Sequence, residues 1–154
     1  MLYAAYGSNL NEEQMRKRCP DAVYIGKAYV KDYTLVFRKS KTGSYLSIDK
    51  SEGGEAPAVV FWISEEDKKT LDKKEGAGLE ECYKRLWIPP DIITKSGKTS
   101  REENVLTYAL PEDRPEGMPE DEYVSRVKTG YMQRGFNSEP LEKAIKRAND
   151  NALL

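Results

Sequence analysis

The sequence predicts an α+β domain in which a curved mixed β-sheet, or a partly open β-barrel, is flanked by helices. Three observations support this fold class. Residues 1–19 have the pattern of a strand, a glycine turn and a helix; residues 22–63 contain four strand-like segments; residues 120–154 contain two helical patterns. The length of 154 residues is that of one ordinary domain, so we take residues 1–154 as a single domain.

The first element is a short apolar strand that breaks at Gly7, Ser8 and Asn9, three residues that favour turns and helix starts. A helix over residues 11–19 is expected to follow at once, and Pro20 ends it. Backbone N–H groups at such a turn have no partner within the helix, so they can bind an anion or a polarised carbonyl oxygen. The same pattern also occurs in plain connections between a strand and a helix.

The rest of the chain alternates strand-like and helical patterns. The expected elements are strands over residues 22–30, 33–39, 44–49 and 56–63, a helix over 64–75, strands over 81–89 and 105–110, and helices over 120–134 and from 138 onward. The first three of these strands read as a meander, and Gly53-Gly54 predicts a loop before the fourth. Residues 90–103 are expected to form a loop or a hairpin, and residues 111–119 an irregular link.

Composition limits the chemistry that this chain can perform. The 25 Lys and Arg residues nearly balance the 26 Asp and Glu residues, and no basic stripe is present, which argues against nucleic-acid binding. The chain has no histidine, which excludes Ser-His-Asp and Cys-His catalysis and imidazole metal sites. Acid–base chemistry must therefore use carboxylates, Lys, Tyr or Cys. Cys19 and Cys82 have no evident activating partner and are taken as small core residues, although a disulfide between them stays open.

The chain starts directly with a strand-like run, without the layout of a signal peptide. Its apolar runs are shorter than the roughly 18 residues of a membrane span. We therefore expect a cytoplasmic protein that binds neither membrane nor nucleic acid. The sequence does not decide between a monomer and a homodimer.

One carboxylate has an unusual position. Ser64 and Asp67 form a capping pair at the start of the second helix, and Glu75 lies at the end of that helix, just before Gly76. A carboxylate there faces the negative end of the helix dipole, which raises its pKa, and partial burial would raise that pKa further. A glutamate with a raised pKa suits a general base. The charged neighbours of this glutamate also fit an ordinary solvated helix end.

Three stretches together resemble a known family. Residues 3–10 read Tyr-Ala-Ala-Tyr-Gly-Ser-Asn-Leu and precede a helix that contains Arg18. Residues 71–76 read Leu-Asp-Lys-Lys-Glu-Gly and precede Tyr83. A weaker match consists of Tyr123, Gly130 and Gly135-Phe136. This combination resembles the gamma-glutamylcyclotransferase family, which includes the avirulence-induced-gene-like proteins, over nearly the whole chain.

The resemblance implies an intramolecular aminolysis. The α-amine of a small gamma-glutamyl compound attacks its own γ-carbonyl, closes 5-oxoproline and releases the amine to which the glutamyl group was attached. Glu75 would act as the general base and later as the acid. The substrate-binding residues that the resemblance implies are Tyr3, Ala4, Ala5, Tyr6, Gly7, Ser8, Asn9, Tyr83 and Tyr123. No metal or cofactor is expected.

The resemblance leaves the substrate open. Gamma-glutamyl amino acids, gamma-glutamylamines and gamma-glutamyl-aminoglycosides all fit the same mechanism, and glutathione ranks lower because its branch of the family has a different opening turn. A small-molecule binding protein without catalysis is a further alternative. Residues 90–103 and 111–119 have no counterpart in the family pattern, so we expect them to face the leaving group.

Overall fold

The structure is a computed structural model that describes residues 1–77, 82–94, 96–101 and 104–152. The strands are β1 (Leu2–Ala5), β2 (Val23–Lys39), β3 (Ser44–Trp62), β4 (Lys84–Ile88), β5 (Asp91–Thr94), β6 (Thr99–Arg101) and β7 (Val105–Ala109). The α-helices are α1 (Glu12–Arg18), α2 (Glu65–Glu75), α3 (Asp121–Arg134) and α4 (Glu139–Ala152), and a short 3₁₀ helix covers Ser8–Leu10.

The seven strands form one curved mixed sheet in the order β4-β7-β1-β3-β2-β5-β6. β1 runs parallel to β7, and the other neighbouring pairs are antiparallel. The predicted α+β class is therefore confirmed. The sheet keeps two edges, β4 and β6, in the described part of the chain, so the alternative of a partly open barrel is not realised.

The region predicted as a meander is instead a hairpin of two long strands. The segments predicted over residues 22–30 and 33–39 join into β2, and those over 44–49 and 56–63 join into β3. The loop predicted at Gly53-Gly54 is wrong, because residues 51–54 form a bulge within β3 opposite Asp32. The Asp32 carboxylate accepts the Gly53 N–H at 3.0 Å. Turn-forming residues thus interrupt the strand register without ending either strand.

The other elements lie close to their predicted positions. The Asn11 side chain caps α1 and accepts the Gln14 N–H at 3.1 Å, although the 3₁₀ helix comes before α1 and was not predicted. Within residues 90–103 the hairpin alternative is confirmed by the pairing of β5 with β6. Residue 81, where the fifth strand was expected to begin, lies outside the described residues, as do residues 95, 102 and 103.

Two helices at the end of the chain pack against opposite parts of the fold. α4 packs on β2 with its predicted apolar stripe, in which Leu141, Ala144 and Ala148 are buried. α3 packs on the 3₁₀ helix through Gly130, where a Cβ atom would lie only 2.8 Å from the Leu10 carbonyl carbon. This close approach holds α3 against the 3₁₀ helix that follows β1. Among the described helices, none has the length and apolar character needed to cross a bilayer.

Candidate active site

A cavity of about 450 Å³ lies at the C-terminal end of β1. It is lined by β1, the 3₁₀ helix, the C-terminal end of α2, the tip of the β2–β3 hairpin and the first turns of α3. Nine of the ten predicted site residues line it: Tyr3, Ala4, Tyr6, Gly7, Ser8, Asn9, Glu75, Tyr83 and Tyr123. The fold therefore brings the glycine turn and the helix-ending glutamate to one cavity, as the sequence predicted. The roles of these residues in binding and catalysis stay predictions.

Ala5 is the exception among the predicted residues. It is buried, pairs with Val59 of β3 and does not line the cavity. The expectation that residues 90–103 and 111–119 face the leaving group is also wrong for their described residues, none of which lines the cavity. Two strands separate β5 from β1 in the sheet, and residues 111–119 pass along the end of β2 instead.

The local sequence of α2 explains how Glu75 reaches the cavity. Ser64 and Asp67 form the predicted capping box, which sets the start of the helix. Gly76 ends it in the left-handed conformation with a φ of 69°. The Tyr83 N–H then donates to the Glu75 carbonyl oxygen at 3.2 Å, which anchors the returning chain to the helix end. Glu75 is thereby held at a defined position in the cavity wall.

The Glu75 carboxylate is half-buried, and no described residue donates a hydrogen bond to it. Loss of solvation by burial raises its pKa to about 7, while the positive charge of Arg18 acts in the opposite direction. The sequence predicted this direction but attributed it first to the helix dipole, whereas burial is the main cause. A carboxyl group with this pKa can both accept and return a proton near neutral pH.

Asp72, one helical turn before Glu75, has the opposite environment. Its carboxylate receives hydrogen bonds from Arg85 at 2.8 and 3.0 Å, from the Tyr108 hydroxyl at 2.6 Å and from Lys68 at 3.3 Å. These donors, above all Arg85, lower the pKa of Asp72 to about 2. Asp72 therefore stays ionised and ties α2 to β4 and β7, while Glu75 remains able to exchange a proton.

The floor of the cavity is a polar network centred on Asn9. Its amide nitrogen donates to the Tyr3 hydroxyl at 2.9 Å, and its amide oxygen accepts from Gln14 and Arg18, each at 2.9 Å. Gln14 also donates to the Ser8 hydroxyl at 2.6 Å. The oxygen and the nitrogen of the Asn9 side chain both have partners, so this network ties the turn to β1 and α1. The N–H groups of Gly7, Ser8 and Asn9 donate to no acceptor within the described residues.

Two tyrosine hydroxyls close the side of the cavity along β3. The Tyr123 hydroxyl accepts the Leu46 N–H at 3.2 Å, and the Tyr83 hydroxyl donates to the Leu46 carbonyl oxygen. Gly7 faces Tyr123, since a Cβ atom at Gly7 would lie 3.0 Å from its hydroxyl oxygen. Burial raises the pKa of Tyr6, Tyr83 and Tyr123, so these hydroxyls are neutral hydrogen-bonding groups.

The sequence missed several residues that line the cavity. Arg126 lies one helical turn after Tyr123 on the same face of α3, so helical spacing from Tyr123 could have identified it. Arg18 was noted only as part of the family pattern. The hairpin tip, residues 40–42, carries no local signal that places it there, because its position depends on the length of the β2–β3 hairpin.

The comparisons with known proteins agree with this arrangement. The family model described as gamma-glutamyl cyclotransferase, AIG2-like, matches residues 3–127. The gamma-glutamylcyclotransferase of Bos taurus is 31% identical over 152 residues, which cover 92% of this chain and 73% of the bovine protein. That of Homo sapiens is 30% identical over 151 residues, which cover 92% of this chain and 76% of the human protein.

A solved structure of a gamma-glutamyl cyclotransferase has a TM-score of 0.76 at 26% identity, covering 94% of this chain and 85% of that one. The chain therefore belongs to the gamma-glutamyl cyclotransferase, AIG2-like family, in the enzyme class of the gamma-glutamylcyclotransferases.

Proposed function

We propose that this protein releases 5-oxoproline from a small gamma-glutamyl compound, with Glu75 as general base and then general acid. The observation that carries the proposal is the position of Glu75: a carboxyl group with a pKa of about 7 shares one cavity with the glycine turn. Among the carboxylates of α2, Asp72 is held ionised by its donors, and the buried tyrosines are neutral. Glu75 is therefore the group best suited to carry a proton.

The raised pKa of Glu75 matters for the energy of the first step. Raising the pKa of Glu75 from the ordinary value of 4.5 to about 7 makes this glutamate a stronger base. Proton transfer from the substrate α-ammonium to Glu75 is thereby more favourable by about 3 kcal/mol than transfer to an ordinary glutamate, because each pKa unit corresponds to about 1.4 kcal/mol. Burial of Glu75 thus lowers the free energy needed to form the reactive amine.

The reaction then exchanges one carbon–nitrogen bond for another. After Glu75 takes a proton from the α-ammonium, the free amine nitrogen attacks the γ-carbonyl carbon and forms the five-membered ring. As the bond to the leaving nitrogen breaks, that nitrogen receives a proton from Glu75. The ring nitrogen then gives one proton to the ionised Glu75, which passes it to the released amine, so that the amine leaves as an ammonium ion and Glu75 is ionised again. No nucleophile from the protein is needed, which fits a chain without histidine.

The remaining cavity residues would bind and orient the substrate. The free N–H groups of Gly7, Ser8 and Asn9 are suited to hold the negative charge that develops on the γ-carbonyl oxygen. Tyr83 and Tyr123 present neutral hydroxyls that restrict the conformation of the glutamyl chain. Bringing the amine and the carbonyl into contact distance is a large part of the catalysis of a ring closure.

The charges of the cavity favour one group of substrates. The described lining contains five cationic side chains, Arg18, Lys41, Lys73, Lys74 and Arg126, and Glu75 as its one carboxylate. A leaving amine with a carboxylate, as in a gamma-glutamyl amino acid, complements this lining, whereas a polycationic aminoglycoside is repelled. We therefore place gamma-glutamyl amino acids before gamma-glutamylamines and aminoglycosides. The cytoplasmic location, the independence from metals and cofactors, and the choice between monomer and homodimer stay predictions.

The experiment is to incubate the protein with gamma-glutamyl-alanine, gamma-glutamyl-lysine linked through the side-chain amine, and glutathione, and to measure 5-oxoproline by mass spectrometry. We expect release from gamma-glutamyl-alanine, loss of release in Glu75→Gln, and normal release in the matched control Glu65→Gln at the exposed start of α2. Normal turnover by Glu75→Gln would show that another group is the base. Binding without 5-oxoproline release by the unaltered protein would favour the non-catalytic alternative.

A further inference from the structure

Arg18 is an unusual cation in this protein. It ends α1, is half-buried and lines the cavity beside Asn9. One guanidinium nitrogen, Nη1, donates to the Asn9 amide oxygen at 2.9 Å. A guanidinium has five N–H donors, and Arg18 forms no ion pair with any residue that the structure describes. It therefore faces the cavity with donors that are available to a ligand.

Arg126, the other arginine of the described lining, already has a carboxylate partner. It pairs with Glu122 and donates to Gln14 at 2.8 Å. Exposed cations seldom need a partner, but a half-buried guanidinium without one has lost solvation that a ligand carboxylate could replace. Lys41, Lys73 and Lys74 form no ion pair with a described residue either, but all three are exposed. Arg18 is therefore the half-buried cation of the described lining that has no carboxylate partner.

The position of Arg18 relative to Glu75 suggests which carboxylate it binds. The two groups interact electrostatically across the cavity, but they do not form an ion pair with each other. The head of a glutamyl group carries an α-carboxylate and an α-ammonium on the same carbon atom. A cation and an anion that face one cavity without contact are complementary to such a head, with the ammonium towards Glu75 and the carboxylate towards Arg18.

We infer that Arg18 binds the α-carboxylate of the gamma-glutamyl substrate, held in place for this by Asn9. The inference rests on the proposed function and names the binding residue for one end of the substrate. The α-amine is bonded to the same carbon atom as the carboxylate, so fixing the carboxylate restricts where the amine can lie. The same contact therefore orients the nucleophile beside its base. Asn9 has a positioning role, because its amide oxygen holds Arg18 while its amide nitrogen is fixed by Tyr3.

The test compares two substrates in two proteins. Gamma-glutamyl-alanine is compared with its analogue in which the glutamyl α-carboxylate is replaced by a carboxamide, in the unaltered protein and in Arg18→Met. Hydrogen bonds to a charged group predict that the unaltered protein prefers the carboxylate by roughly 10- to 100-fold in kcat/KM. Arg18→Met is expected to lose most of this preference because it turns over the carboxylate substrate more slowly, and Arg18→Lys to keep part of it. Arg16→Met, at an exposed position of the same helix, is the matched control and should keep the full preference.

A binding measurement separates the failure of this inference from the failure of the proposed function. Calorimetric titration of gamma-glutamyl-alanine into Glu75→Gln, with and without Arg18→Met, needs no turnover. Equal affinity in the two proteins, or an undiminished preference for the carboxylate in Arg18→Met, would overturn the role of Arg18 even if 5-oxoproline is formed. Weaker binding on loss of Arg18 supports it, whereas absence of 5-oxoproline with the unaltered protein counts against the proposed function alone.

Discussion

Replacing Glu75 by glutamine should make the protein more stable at pH 8 while removing its activity. Burial raises the pKa of Glu75 from 4.5 to about 7, so the folded state holds this proton more tightly than the unfolded state. Between these two values the unfolded state loses its proton first, and stability falls as the pH rises. The full penalty, reached above pH 7, is about 3 kcal/mol, because each pKa unit corresponds to about 1.4 kcal/mol.

Asp72→Asn is the matched comparison, one turn away on the same helix. The pKa of Asp72 is lowered from 3.8 to about 2, so its ionised form stabilises the folded state above the unfolded value, and this stability is lost as the pH falls towards 2. Removing the charge should lower the free energy of unfolding by about 2 kcal/mol at pH 8, and by nearly as much at pH 5, since both pH values lie above that range. The two substitutions are therefore expected to shift stability in opposite directions.

Thermal unfolding at pH 4 and at pH 8 measures both effects. For a chain of this length, about 3 kcal/mol corresponds to a rise in Tm of roughly 6 to 12 °C for Glu75→Gln at pH 8, with almost no change at pH 4. Asp72→Asn should melt at a lower temperature than the unaltered protein at pH 8. An equal gain for Glu75→Gln at both pH values, or no gain at pH 8, would refute the reasoning that Glu75 is a desolvated carboxylate.

Three further predictions follow from the same geometry. The value of kcat/KM should rise about tenfold per pH unit below pH 7 and level off above it, because Glu75 accepts a proton only when ionised; a profile flat from pH 5 to 8 would contradict this. Tyr123→Phe removes the acceptor of the buried Leu46 N–H, so urea unfolding should show a free energy of unfolding lower by about 1 to 3 kcal/mol. The same variant should have a higher KM in the 5-oxoproline assay. Gly130→Ala places a methyl group against the backbone at Leu10 and should lower the free energy of unfolding in urea by about 1 to 3 kcal/mol. An unchanged urea midpoint would show that α3 can move away freely.

The sequence was most informative where function depends on local structure. The capping residues of α1 and α2 and the glycine ends of α2 and α3 are short-range patterns, and the structure has them where they were expected. The same patterns located the glycine turn and Glu75. The β2–β3 hairpin was misjudged because the turn signals at Asp32 and Gly53-Gly54 were read locally, whereas pairing on both sides of the bulge keeps the two strands continuous.

The charges of the site could not be read in this way, because they depend on which distant side chains burial brings together. Asp72 and Glu75 are three residues apart in a charged helix and look alike in the sequence, yet Arg85 and Tyr108 hold one ionised and burial makes the other a proton carrier. Arg18 likewise differs from Arg16 only through what surrounds it after folding. Proton transfer in this cavity is therefore set by tertiary packing: the local sequence supplies a glutamate at a helix end, and the fold decides that it is the one with a usable pKa.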